Sequence, residues 1–206
     1  NTNSPEIIIR YQVADELSLP HMPATGVSGV DLYASGNDNG WLWCGSKLAF
    51  GDTIQYHFSD LDTNNQNRIK GREYRLYLPL YNTVRWLEVG VLTNAAFNAL
   101  PIRQEKPIIV YGTSIAQGAC ASRPGMAWTA ILERKLDQPL INLGFSGNGR
   151  LEKELIDLMA EINAKLFVLD CLPNLTSPDM APEETKKRIT TSVTQLRQKR
   201  SAVPIL

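Results

Sequence analysis

The stretch Pro107-Ile108-Ile109-Val110-Tyr111-Gly112-Thr113-Ser114 contains the pattern that decides the fold. Ile108–Tyr111 is a continuous apolar run of strand length, which is typical of a strand buried on both faces of a parallel sheet. A glycine and a serine follow closely, so the run predicts a strand that ends in a tight turn. Two further apolar runs of the same kind follow later in the chain, at Leu140–Leu143 and Leu166–Leu169.

Helical periodicity separates these runs. Apolar residues recur at helical spacing around Met126–Leu136 and Leu151–Ile162, and Pro182 opens a third helical stretch. Ala202–Leu206 has the composition of the start of a fourth strand. Strands that alternate with helices predict an α/β domain with a parallel sheet covered on both faces, which we place at residues 101–206.

Residues 1–100 follow a different pattern. Alternating and β-branched stretches predict strands, with turn-rich polar segments between them and no helical period. Such a series favours an antiparallel β-sandwich of the jelly-roll type. The strands are expected at Ile7–Val13, Thr53–Phe58, Arg72–Leu78 and Trp86–Val91.

The composition excludes several classes of function. An apolar fraction of 43% and a charged fraction of 20% are typical of a globular protein. Lys and Arg together equal Asp and Glu at 21 each, which argues against a nucleic-acid partner. No apolar run reaches the length of a membrane span. Cys44, Cys120 and Cys171 lack metal-site spacing, so we expect small buried residues there and neither a metal nor a cofactor.

A polar group or a glycine-rich loop follows each of the three predicted strands, at the sheet edge where parallel α/β domains place their sites. Ser114 follows the first strand, Gly147 lies in the loop after the second, and Asn174 follows the third. A serine on a strand-to-helix turn suits a nucleophile whose attack creates an oxyanion, and an asparagine amide can donate to that charge. Taken singly, the three patterns are more typical of a helix cap, a flexible loop and a turn.

Together, these segments resemble the conserved blocks of the SGNH (GDSL-like) hydrolases. Gly112-Thr113-Ser114-Ile115 resembles the first block, with threonine where the family motif has aspartate. Asn142–Gly147 and Asp170–Asn174 resemble the second and third blocks. Upstream, Gly29-Val30-Asp31-Leu32-Tyr33 resembles the G-x-D-L-Y signature of a β-sandwich domain that precedes some SGNH hydrolases, and Tyr74–Asn82 is similar to a second landmark of that domain.

The resemblance implies a three-layer, flavodoxin-like hydrolase domain preceded by a β-sandwich domain. It implies that Ser114 attacks a carboxylic ester, and that the backbone N–H groups of Ser114 and Gly147, with the side chain of Asn174, stabilise the oxyanion. The substrate class is a small-molecule or glycan ester, and export to the periplasm or beyond is the family expectation. Two alternatives stay open, an acyltransferase that uses the same site and a non-catalytic glycan-binding protein, and the oligomeric state is undetermined.

The Asp-x-x-His block that supplies the general base in this family has no counterpart in the chain. His21 and His57 are the two histidines, both lie in the strand-rich half, and the Tyr56-His57-Phe58 context predicts a half-buried strand residue. A serine without a base is a poor nucleophile at neutral pH. We therefore interpret the chain as an internal fragment with both domains incomplete, and expect it to lack the esterase activity of the full-length protein.

Three further patterns are weak candidates for a site. Asp60–Gly71 begins like a calcium loop, but Asn65 replaces the required glycine and Gly71 the required glutamate, which favours a solvated hairpin. Trp41 and Trp43 suit a sugar-stacking platform, although packing within the sheet is favoured. The basic residues of the last helix are typical of a solvated face.

Overall fold

A computed structural model describes residues 1–36, 40–61 and 69–206. The chain divides into two compact units. The first comprises Asn1–Ile102 with Cys120–Met126, and the second comprises Arg103–Ala119 with Ala127–Leu206. The piece Cys120–Met126, called segment 120–126 below, is thus flanked in sequence by the second unit but packs with the first. The division into domains at residues 1–100 and 101–206 stays a proposal.

In its described residues, the first unit contains six strands in two antiparallel sheets. The strands are β1 (Ile7–Val13), β2 (Asp31–Ser35), β3 (Trp41–Trp43), β4 (Ile54–Phe58), β5 (Tyr74–Tyr77) and β6 (Val84–Val91), and one short helix, α1 (Ala24–Val27), precedes β2. β1 lies between β4 and β6 in one sheet, and β2 lies between β3 and β5 in the other.

Alternation along the strands explains how the first unit builds its core. In β4 the side chains of Ile54, Tyr56 and Phe58 are buried, whereas Gln55 and His57 between them are exposed, because successive side chains point to opposite faces. Both sheets contribute to one apolar cluster. This arrangement fits the predicted β-sandwich class. The cluster contains Ile7, Ile9, Tyr11, Val30, Leu32, Ile54, Tyr56, Phe58 and Leu61.

The second unit is a parallel sheet with helices between its strands. Its elements are β7 (Ile108–Gly112), α2 (Ser114–Gln117), α3 (Trp128–Leu136), β8 (Leu140–Gly144), α4 (Lys153–Glu161), β9 (Leu166–Asp170), α5 (Leu172–Leu175) and α6 (Pro182–Lys199). β7 is central, with β8 on one side and β9 on the other. Ile205 adds a parallel bridge to Phe167 beyond β9, as expected for the start of a fourth strand.

The sheet of the second unit is buried on both faces at its central strand. Ile109 and Tyr111 pack into a cluster with Phe167 and with Ile156 of α4 and Leu196 of α6. The intervening side chain, Val110, points to the opposite face and is also buried. Helices therefore cover a parallel sheet, as the apolar runs predicted.

The longest helix of the second unit has the end signals that its sequence predicts. Pro182 occupies the first turn of α6, where its missing N–H has no intrahelical role. Glu183 and Glu184 lie in the same turn, and Arg197 and Lys199 lie in the last turn, so the charges complement the helix dipole.

The described residues form neither a metal site nor a helix that could span a membrane. Within ranges 1–36, 40–61 and 69–206, no group of His, Cys, Asp and Glu side chains could hold a metal ion. The calcium-loop pattern at Asp60–Gly71 falls mostly on residues 62–68, which lie outside those ranges. Over the same part of the chain, every helix is too short or too polar to cross a bilayer.

Candidate active site

Ser114 is the first residue of α2, directly after the turn that ends β7. Thr113 caps the helix, with its Oγ1 accepting a hydrogen bond from the N–H of Ile115 at 3.3 Å, and Gly118 closes it with φ +104°. Ser114 itself is half-buried. Among the described residues, neither its hydroxyl nor its N–H has a hydrogen-bond partner, and an N–H in the first turn of a helix lacks an intrahelical acceptor. Both groups are therefore available to a ligand.

The loop after β8 packs against the end of β7. The N–H of Phe145 donates to the carbonyl oxygen of Gly112 at 2.9 Å. A methyl group built on Gly149 would lie 2.1 Å from the same carbonyl oxygen, so only glycine allows this approach. Gly147 lies between them, exposed, with φ +73° and open space around it. In the described structure its N–H makes no backbone hydrogen bond.

Asn174 lies in α5, which follows β9. Its Nδ2 donates to the backbone carbonyl of Asn148 at 2.6 Å, which joins the turn after β9 to the loop after β8. The hydroxyl of Ser177 donates to the carbonyl oxygen of Asn174 at 2.8 Å and holds the turn from the other side. The amide of Asn174 has a second N–H, which is a further hydrogen-bond donor.

The sheet register explains why these three segments meet. Gly112 at the end of β7 pairs with Gly144 of β8 and with Asp170 of β9. Ser114 and Gly147 therefore follow neighbouring strand ends by a few residues, and Asn174 does the same on the other side of β7. The structure brings the loops of all three predicted residues together at the carboxyl edge of one sheet.

A salt bridge also connects the second and third loops. Arg150 Nη1 lies 2.7 Å from Asp179 Oδ2, and the hydroxyl of Ser177, whose single proton is shared with the carbonyl of Asn174, lies 2.5 Å from the other carboxylate oxygen of Asp179. The pKa of Asp179 is lowered to about 2, mainly by the hydrogen bond with Ser177 and next by the hydrogen bond with Arg150. Arg150, which follows the glycine-rich loop, is thus connected through Asp179 and Ser177 to the turn that contains Asn174.

Two side chains that connect these loops were not singled out from the sequence. Asn142 in β8 donates from Nδ2 to the carbonyl oxygen of Ala116 at 2.8 Å and to Thr129 Oγ1 at 2.9 Å, while its Oδ1 accepts from Gly144 N–H. Gln117 accepts from the N–H of Ser146 at 2.7 Å through its Oε1. Both tie α2 to β8 and its loop. A polar residue inside an apolar strand run, as Asn142 is, was the signal available in the sequence.

A third missed group lies beneath the site. The hydroxyl of the buried Tyr111 donates to the carboxylate of Glu152, which also accepts the N–H of Arg150 at 2.9 Å. The buried thiol of Cys171 donates to the carbonyl oxygen of Tyr111. These contacts fix β7, just before Ser114, to the starts of α4 and α5.

Both histidines of the sequence, His21 and His57, belong to the first unit. His57 lies in β4 with its side chain 49% exposed, and its Nε2 contacts Glu6 Oε2 at 2.5 Å. This agrees with the expected half-buried strand residue.

The tryptophans of β3 pack against arginines. The guanidinium of Arg75 lies 3.9 Å from the ring centre of Trp41, and that of Arg123 lies 4.1 Å from the ring centre of Trp43. One face of each ring is thus covered by a cation, which is a packing role. The structure supports the packing interpretation over a sugar-stacking platform.

A cleft of about 420 Å³ opens between α5 and α6. It begins one residue after Asn174, but its lining does not include Ser114. The lining residues are Leu175, Thr176, Met180, Pro182, Thr185, Lys186, Ile189 and Thr190.

Comparison with known proteins identifies both halves of the chain. Residues 105–206 match the GDSL-like Lipase/Acylhydrolase family. Residues 1–97 match the GxDLY family, described as the N-terminus of Esterase_SGNH_hydro-type. No curated protein matches the chain.

Solved structures share the fold over nearly the whole chain. A protein described as a GDSL-like lipase from Bacteroides ovatus ATCC 8483 is 39% identical, with a TM-score of 0.82, over 99% of this chain and 57% of its own. The salicylyl-acyltransferase SsfX3 from a tetracycline biosynthetic pathway is 19% identical, with a TM-score of 0.72, over 99% and 56%. A family two carbohydrate esterase from Clostridium thermocellum, in complex with cellohexaose, is 14% identical, with a TM-score of 0.62, over 99% and 67%.

These matches show the family to which each half of the chain belongs, and they show the fold. The chain spans only 57% of the Bacteroides ovatus protein, and the two more distant structures show a shared fold alone. The predicted fold class, a flavodoxin-like parallel sheet preceded by a β-sandwich, is confirmed. Residues 105–206 therefore belong to the GDSL-like lipase/acylhydrolase family, and residues 1–97 to the GxDLY family, the N-terminal domain of SGNH-hydrolase-type esterases.

Proposed function

We propose that the chain supplies the nucleophile and the oxyanion hole of a serine hydrolase that cleaves carboxylic esters. The observation that carries the proposal is the linkage of three loops at one sheet edge. Phe145 is bonded to Gly112, and Asn174 to Asn148, so the loops cannot separate without losing these hydrogen bonds.

The proposed chemistry uses groups that have free hydrogen-bonding capacity. The Ser114 hydroxyl attacks the ester carbonyl, the alcohol leaves, and water then hydrolyses the acyl-serine. The N–H groups of Ser114 and Gly147 and the second amide N–H of Asn174 donate to the oxyanion of each tetrahedral intermediate. The proton of Ser114 goes to a general base, which we assign to a part of the full-length protein outside residues 1–206.

We propose acyl groups on carbohydrate as the substrate class. The support is the carbohydrate esterase from Clostridium thermocellum, which has the same fold. Acyl transfer to another alcohol is the second candidate, because SsfX3 is an acyltransferase of the same fold. The two differ in the acceptor that resolves the acyl-serine. Product analysis with an added sugar alcohol separates them, since a transferase forms the new ester and a hydrolase releases the acid.

The test is the kinetics of aryl-ester turnover by the full-length protein. Ser114→Ala should abolish turnover of p-nitrophenyl acetate. Asn174→Ala should lower kcat by about a hundredfold or more, which is the usual cost of one oxyanion donor. Asn148→Ala is the matched control, because only its backbone carbonyl meets Asn174, and its kcat should stay near wild type. An Asn174→Ala protein with unchanged turnover would refute the assignment of that residue.

The non-catalytic alternative makes the opposite prediction for the same protein. A glycan-binding protein would retain sugar affinity and show no turnover that depends on Ser114. Binding of an oligosaccharide without Ser114-dependent hydrolysis of any acylated sugar would therefore replace the esterase proposal.

A further inference from the structure

Asp31 is the aspartate of the Gly-x-Asp-Leu-Tyr stretch, and its side chain is completely buried at the start of β2. Its Oδ1 accepts a hydrogen bond from the indole N–H of Trp43 at 2.9 Å, and its Oδ2 accepts one from the backbone N–H of Gly125 at 2.8 Å. Arg123 Nε lies 3.1 Å from the same Oδ2. A buried carboxylate is costly unless it is paired and hydrogen-bonded, so Asp31 and segment 120–126 stabilise each other.

Residues of α1 hold the same segment at short range. The hydroxyl of Thr25 donates to the carbonyl oxygen of Ser122 at 2.6 Å. A methyl group built on Gly26 would lie 2.3 Å from the carbonyl oxygen of Ala121, so this approach requires glycine. Several contacts thus hold segment 120–126 to the rest of the first unit. One of them is made by the buried, charged carboxylate of Asp31.

The chain connects segment 120–126 directly to the helix that begins with Ser114. Ala119, the residue before the segment, donates its N–H to the carbonyl oxygen of Ser114 at 2.9 Å. Between them lies α2, which has only four residues and ends at Gly118 in the left-handed conformation. A helix this short has little internal rigidity, so the place where the chain leaves it helps to set its orientation.

We propose that Asp31 is a positioning residue for the reaction: it fixes segment 120–126, and through the chain it fixes the end of α2 and the direction of the Ser114 hydroxyl. This inference rests on the function proposed for Ser114. A misplacement of about 1 Å can cost about a hundredfold in rate. A carboxylate that never touches the ester can therefore control kcat.

The test compares two variants of the full-length protein with a matched control. Asp31→Asn keeps the shape of the side chain but removes its charge. Arg123→Gln removes the ion-pair partner from the more exposed side, and it tests the same link if the first variant does not fold. Trp43→Phe is the control, because it deletes a hydrogen bond to the same carboxylate but keeps an aromatic ring for Arg123 of segment 120–126 to pack against. The measurements are amide hydrogen exchange of residues 120–126, kcat and KM for p-nitrophenyl acetate, and the free energy of unfolding.

We expect faster exchange in segment 120–126 of Asp31→Asn and Arg123→Gln, with kcat lowered by about tenfold or more at unchanged KM. Trp43→Phe should retain both the slow exchange and the kcat. Undisturbed exchange in both variants overturns the inference. Faster exchange in segment 120–126 with a wild-type kcat also overturns it. A fall in kcat that equals the fraction of protein that has unfolded overturns it as well.

The Ser114→Ala protein separates this inference from the proposed function. Turnover that survives in Ser114→Ala refutes the function itself. An inactive Ser114→Ala protein combined with wild-type kcat in Asp31→Asn refutes only the role of Asp31.

Discussion

The side-chain amide of Asn174 donates a hydrogen bond to the backbone carbonyl of Asn148 at 2.6 Å. This contact ties the turn after the third strand of the parallel sheet to the glycine-rich loop after the second. One amide N–H of Asn174 is used by the contact, which orients the other. A preorganised donor is more effective toward a developing oxyanion than one that must be ordered during the reaction.

Two glycines of the same loop should respond differently to alanine. Gly147→Ala places a methyl group in open space and costs only the strain of the left-handed backbone, about 1–2 kcal/mol. Gly149→Ala adds an overlap with the carbonyl oxygen of Gly112, and overpacking costs about 1–3 kcal/mol more. Urea unfolding of the two variants measures the difference. Equal free energies of unfolding would contradict the close packing at Gly149.

Residues 1–206 alone should not hydrolyse p-nitrophenyl acetate faster than their own Ser114→Ala variant. We expect this because no histidine follows Ser114 in the sequence of residues 1–206 and His57 already contacts Glu6. The measurement is initial rates for the purified polypeptide. Hydrolysis that requires Ser114 in this polypeptide would contradict our assignment of the base to another part of the protein.

The three thiols should differ in reactivity. Burial raises the pKa of Cys171 to about 12 and, as the largest cause, that of Cys44 to about 11, whereas Cys120 is exposed. Because the thiolate is the reactive form, iodoacetamide at pH 8 should alkylate Cys120 first and Cys171 only after unfolding. Peptide mass mapping over time gives the order. Early alkylation of Cys171 would argue against its burial beneath Tyr111.

The Asp179 contacts should make the third turn sensitive to acid. The pKa of Asp179 is lowered from its ordinary 3.8 to about 2, chiefly by Ser177 and then by Arg150. A depressed pKa stabilises the fold above the unfolded value, and this stabilisation is lost as the pH falls through the folded value. Asp179→Asn should therefore be less stable than wild type at pH 6, with the difference fading between pH 4 and pH 2. A difference that is independent of pH over this range would contradict the charge-based explanation.

Two kinds of element could be predicted from the sequence: strands that are buried on both faces, and helices whose start and end signals lie within a single turn. The apolar run before Ser114 matches β7, because a strand covered on both faces needs apolar side chains throughout. The turn signals of α6 were equally clear, since Pro182 and the charges at both ends act within single turns. The order of the three loops followed from the rule that parallel strands end at one edge.

Features that depend on long-range contacts were not predictable in this way. The helical period around Met126–Leu136 predicted one helix, but the structure has a 3₁₀ turn at Pro124–Met126 and a helix that begins at Trp128. The turn belongs to segment 120–126, which Asp31 holds from far away in sequence. Cys120 in that segment was expected to be buried, and this was wrong. It is exposed, with φ +63° at the bend where the chain enters the first unit.

The most direct test of the central claim is the mass of the full-length protein after reaction with a fluorophosphonate probe. We expect a single adduct, located by peptide mapping on Ser114 and absent from the Ser114→Ala protein. An adduct on another residue, or undiminished labelling of Ser114→Ala, would contradict the assignment of the nucleophile.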